Sequence, residues 1–83
     1  MKRLLIAILV TISFVAPAFA QQTFTTQAQA QQHCPTDTIV WLNVPTKIYH
    51  MQGERWYGKT KSGSYVCKQE ADGAGDRETK NGQ

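Results

Sequence analysis

The chain has 83 residues, a formal charge of +3 and a sequence pI near 9.1. That length excludes a second core or a dinucleotide-binding unit, and a chain so short usually needs a staple to hold its fold. A basic balance of this kind prompts nucleic acid or an anionic membrane as partner, but the first segment of the chain removes most of that support.

Residues 1–20 read as a secretory signal peptide. Lys2 and Arg3 form a charged start, Leu4 to Val15 is an almost unbroken apolar run of 12 residues, and Ala18-Phe19-Ala20 is a cleavage signature with Pro17 just before it. At about 1.5 Å per residue the run is too short for a ~30 Å hydrocarbon core. An uncleaved anchor is the lesser reading, and it would be the chain's only membrane contact. The expected location is therefore the periplasm or the exterior. Cleavage after Ala20 leaves 63 residues with seven basic against six acidic side chains, a net charge of +1. Only 19 of those 63 are apolar, too few for a secure unstapled core.

Gln21 to Gln32 holds six glutamines in twelve residues and no charge. Such a composition buries little, so 21–33 is expected to be a disordered leader. A small folded domain is expected over 34–78, with a polar tail over 79–83. Thr38 to Asn43 is rich in β-branched and aromatic residues and reads as a strand. Val44-Pro45-Thr46 marks a turn, and Lys47 to Met51 reads as a second strand paired antiparallel to the first. Ile39 and Trp41 then share one face, as do Ile48 and His50. Arg55-Trp56-Tyr57 is compatible with extended chain, and Gly58 to Gly63 with a loop. Ser64 to Cys67 is a third strand candidate, and Lys68 to Asp72 a short helix closed by Gly73 or Gly75. The expected class is α+β: a small antiparallel hairpin or three-stranded sheet, one short C-terminal helix and a disulfide staple.

The cysteine count supports the staple. Cys34 and Cys67 form an even pair in an exported small chain, which favours one disulfide between them. Three alternatives stand beside it. A metal module could use His33 or His50 with Cys34 and Cys67, although no C-x-x-C or H-x-x-x-H spacing is present. A Cys–His catalytic pair is combinatorially open, but nothing marks either thiol as activated. Intermolecular pairing is the third.

Most residues able to carry chemistry cluster in Tyr49, His50, Arg55, Trp56, Tyr57, Lys59 and Lys61. One reading is a binding surface in which the cations meet an anion and the rings stack, as in single-stranded nucleic-acid binders. The other is structural, because a domain this small must bury most of its large rings and can cover them with Arg and Lys stems. The near-neutral chain after Ala20 weighs against nucleic acid. Gly53 to Thr60 fits the spacing of a phosphate loop, but no βαβ unit surrounds it, so the match is taken as accidental. Glu54, Glu70, Asp72, Asp76 and Glu78 are scattered and read as solvated.

The pattern Tyr49-His50-x-x-Gly53-x-Arg55-Trp56-Tyr57-Gly58-x-Thr60-Lys61-x-Gly63-x-Tyr65-x-Cys67, followed by Glu70-Ala71 and Ala74-Gly75-Asp76-Arg77, resembles a family of small exported bacterial proteins of unknown function. The resemblance runs from Cys34 to Gly82 and implies Gram-negative export and a Cys34–Cys67 pair. The chain departs from it at Val44-Pro45-Thr46-Lys47, where family members tend to carry a polar, often glycine-containing turn. A more distant likeness is to the zinc-binding domain of Ada-type repair proteins, through Tyr49-His50, Glu70-Ala71 and Ala74-Gly75. The zinc-ligand cysteines of that domain are missing here, so the likeness implies a hairpin-plus-helix fold without its metal or methyl transfer. Together these readings lead to an exported, monomeric, non-enzymatic binding or structural mini-domain with no cofactor.

Overall fold

The computed structural model describes residues 21–83, so the signal-peptide reading of 1–20 lies outside the described residues. The chain is α+β. Its elements are α1 (Gln27–His33), β1 (Ile39–Asn43), β2 (Ile48–His50), β3 (Gly63–Cys67), α2 (Lys68–Gly73) and β4 (Arg77–Glu78). The strands form one mixed sheet in the order β3-β1-β2-β4. β1 pairs antiparallel with β2, Trp41 opposite His50, and with β3, Ile39 opposite Cys67. β4 adds parallel to β2, with Ile48 opposite Arg77. No described helix is long and apolar enough to cross a membrane.

Alternation along β1 sorts its side chains to two faces, as period 2 requires. Val40 and Leu42 pack with Tyr49, Val66 and Ala71, so α2 closes this side of the sheet. Ile39 packs with Ala30 and Cys67 on the other side, under α1. Val40 and Val66 are fully buried, each worth about 1.5–3 kcal/mol relative to exposure. The disulfide joins Cys34, just past the end of α1, to Cys67, the last residue of β3, with 6.3 Å between their Cα atoms.

Two expectations are corrected here. The stretch 21–33 is ordered rather than a disordered leader. Thr26 caps α1 by accepting a hydrogen bond from the Gln29 backbone N–H at 3.1 Å, and Ala30 is completely buried against Ile39 and Cys67. Phe24 exchanges two backbone hydrogen bonds of 2.9 Å with Tyr65, covering the free edge of β3. A seven-residue helix is marginal alone, so packing and the adjacent disulfide make it. Composition counts glutamines and misses the one alanine placed to fill the gap.

The sheet also has four strands rather than three, and two helices rather than one. β4 consists of two exposed charged residues with no strand signal in their side chains. It forms because α2 ends in a tight turn. Gly75 takes φ +88°, the Asp76 N–H donates to the Ala71 carbonyl at 2.9 Å, and the chain is aimed along the open edge of β2. The Arg77 and Thr79 N–H groups then donate to the Lys47 and Tyr49 carbonyls. Asp76, expected to be solvated, is buried there.

The β1–β2 turn places Lys47 at φ 58°, a left-handed conformation that favours glycine. The start of α2 takes a cap from far along the chain, with Asp37 Oδ2 accepting from the Gln69 N–H at 2.9 Å.

Candidate functional site

Helix α1 covers only the Ile39–Cys67 end of its face. Farther along, Asn43, Ile48 and His50 face away from α2 with no helix over them. The loop over 51–62 rises on one side of this uncovered strip and the chain after β4 on the other. Between them lies an open groove of about 720 Å³ whose walls include His50, Trp56, Lys59, Lys61, Arg77 and Lys80. The polar segment 79–83 forms part of the wall, and the Gln83 backbone oxygen accepts from the Trp56 N–H at 2.7 Å.

The loop is held from below. Trp41 donates its indole N–H to Thr60 Oγ1 at 2.7 Å, and its ring meets Tyr65 edge-on at 4.8 Å between centroids. Tyr57 packs edge-on against Tyr65 at 5.7 Å and donates its hydroxyl to Gln27 Oε1 at 3.1 Å, tying the loop to α1. Arg55–Trp56–Tyr57 is accordingly a succession of turns and not extended chain. This arrangement leaves Trp56 38% exposed at the groove, with the Arg55 guanidinium 5.0 Å from its ring centroid.

Of the seven residues singled out by sequence, His50, Trp56, Lys59 and Lys61 come together in the groove. Arg55 reaches it only through Trp56. Tyr57 serves as a strut. Tyr49 points to the opposite face, buried in the core under α2, and donates to Asp72 Oδ1 at 2.6 Å. Alternation accounts for that split, because neighbours on a strand cannot share a face. Sequence reasoning missed Arg77 and Lys80, which enter the groove only because β4 pairs with β2.

The groove is electropositive. Lys59, Lys61, Arg77 and Lys80 stand against one acidic side chain, that of Glu78. Among the described residues the ion pairs are His33–Glu70 and Lys68–Asp72, so no groove cation is paired to a carboxylate there. Residues 21–83 carry only one net positive charge, which means that the basic character is concentrated on this strip. His50 is only 7% exposed, and its buried Nδ1 has no hydrogen-bond partner among the described residues. A buried polar atom left without a partner is costly.

The tyrosines carry the clearest shifts in acidity. Burial, then the hydrogen bond to Asp72, pushes Tyr49 from its ordinary 10.0 up to about 12. Burial pushes Tyr57 up to about 12 as well, with Tyr65 adding to the effect. In both, folding favours the protonated phenol, so the folded state binds more protons once the unfolded chain begins to ionise. Stability is therefore expected to be complete below pH 10.0 and to fall as pH rises to about 12. Tyr49→Phe and Tyr57→Phe should each flatten this alkaline limb in denaturant melts, and a limb unchanged by both would contradict the assignment. Asp72 shifts the opposite way, because the Tyr49 hydroxyl and then Lys68 hold its carboxyl below the ordinary range. Its contribution is lost as pH falls through that lowered value.

The second chemically notable cluster lies beside the Cys67 end of β3, where His33 of α1 meets Glu70 of α2. His33 Nε2 is 2.7 Å from Glu70 Oε2, and both lie beside Cys67 Sγ, all within 4.8 Å of one another. His50 belongs instead to the groove.

The chain matches no family model, no curated protein and no solved structure.

Proposed function

We propose that this is an exported, non-enzymatic binding module that holds an anionic ligand in the groove between the 51–62 loop and the strand β4. The observation that carries the reading is the convergence of four cations, none paired to a carboxylate among the described residues, on one strip together with a half-exposed indole. The cations supply attraction and the Trp56 face supplies a stacking surface. No catalytic arrangement is required for such a role. Export is supported by the leader pattern of residues 1–20, and a disulfide in so small a chain suits an oxidising compartment.

Pyrophosphate and adenosine monophosphate separate the two parts of the recognition. The first offers charge alone and the second adds a ring. Both are expected to bind with affinity that falls as salt rises, and the nucleotide is expected to quench Trp56 fluorescence as well. Lys59→Ala and Lys61→Ala should each weaken binding about fivefold, or ~1 kcal/mol. Probes that bind no better to the protein than to the Lys59→Ala/Lys61→Ala double variant would remove the reading.

A further inference from the structure

We infer that the disulfide region is a redox-gated zinc site. It closes as a Cys34–Cys67 bond and opens on reduction to a four-ligand set of Cys34, Cys67, His33 and Glu70. The inference stands apart from the groove and rests on different residues.

Three observations converge on it. His33 lies one residue before Cys34, and Glu70 three residues after Cys67, so the disulfide brings a histidine and a carboxylate to the same two sulfurs. His33, Glu70 and Cys67 each offer one ligand atom, all mutually within 4.8 Å, and Cys34 Sγ is bonded to Cys67 Sγ. Zinc with bonds of about 2.0–2.3 Å places tetrahedral ligand atoms roughly 3.3–3.8 Å apart. On reduction the two sulfurs must part from a bond of about 2.0 Å to this spacing, an opening of roughly 1.3–1.8 Å, and that opening carries Cys34 into the set that Cys67 already forms with His33 and Glu70. Asp37 also approaches both cysteines, but its two oxygens already accept from the Thr38 and Gln69 N–H groups at 2.7 and 2.9 Å. Glu70 is the freer carboxylate. Its Oε2 is held only by His33, and its Oε1 accepts a 3.3 Å bond from Gln22. Two thiolates, an imidazole and a carboxylate are a zinc donor set.

The gate is thiol–disulfide exchange with a dithiol reductant. Cys67 is 1% exposed whereas Cys34 is only partly buried, so a thiolate of the reductant attacks the Cys34 sulfur and Cys67 leaves as thiolate. The second thiol of the reductant then displaces Cys34. In sum two electrons and two protons pass to the protein, and the reductant leaves as its disulfide. Zinc next binds both sulfurs and releases the two thiol protons. The ion spans the same two residues as the lost bond, so the tie between α1 and β3 is kept in either state.

The test is a titration of the purified protein with cobalt, followed by zinc competition, in its disulfide form and after reduction by a phosphine. The reduced protein is expected to bind one ion per chain with a dissociation constant below about 1 μM and to show thiolate-to-cobalt charge-transfer absorption. The disulfide form should bind at least about a hundredfold more weakly. His33→Ala and Glu70→Gln, at positions of a short helix surface, should each weaken the reduced protein's affinity about tenfold or more. If the reduced chain unfolds, recovery of its circular dichroism on adding zinc supports the site, and failure to recover overturns it. Equal affinity in the two redox states, or affinity indifferent to both His33→Ala and Glu70→Gln, also overturns it.

Discussion

Replacing Cys34 and Cys67 by serine together is expected to destabilise the protein by about 3.8 kcal/mol, the chain-entropy value for a closed loop of roughly 34 residues. A single small core supplies only about 3–5 kcal/mol, so the double variant should be largely unfolded at room temperature. The structure adds a reason beyond entropy. Cys34 ends α1, whose only buried residue is Ala30, and without the bond that seven-residue helix has little to hold it. Its release also frees Gln27 from Tyr57, and Phe24 from the edge of β3. Urea melts of the disulfide form against the double variant measure the effect directly. A common midpoint would show that the sheet holds itself and that the staple is incidental.

Trp41 carries the second large effect. The indole is 9% exposed, donates to Thr60 and meets Tyr65 edge-on. Trp41→Ala is expected to cost about 3–5 kcal/mol, as for large aromatic truncations in cores. The same ring explains Gly63. A Cβ at that position would overlap the indole, so Gly63→Ala should cost about 1–3 kcal/mol by overpacking. The two effects are coupled through one contact. In a Trp41→Leu background Gly63→Ala should lose most of its penalty, and a double-mutant cycle reads the difference. Additive penalties would contradict the contact. Because Trp41 also anchors the 51–62 loop through Thr60, its loss should weaken ligand binding in the groove.

The legible part of this fold is the part whose signal is local. Thr38 to Asn43 announces β1 through its β-branched and aromatic residues, and the helix after Cys67 follows from a polar run closed by glycine. The placement of Ile39 with Trp41, and of Ile48 with His50, follows from alternation alone. What the sequence hides depends on distant partners. Helix α1 rests on Ala30 fitting against Ile39 and Cys67, and β4 rests on α2 delivering Arg77 to the free edge of β2. The cap on α2 comes from Asp37, on the far side of β1. The candidate site divides the same way. Trp56, Lys59 and Lys61 are visible as a basic and aromatic stretch, whereas Arg77 and Lys80 join them only through tertiary pairing. Net charge misleads for a related reason: it averages over the surface, and here the cations gather on one strip.

A heteronuclear NMR titration of the disulfide form with adenosine monophosphate tests the groove most directly. The account predicts shifts centred on the Trp56 indole N–H, the backbone of Lys59 to Lys61, and Arg77 to Lys80, with Val40, Val66 and Ala71 on the opposite face unmoved. Shifts absent, or spread evenly over both faces, would contradict it.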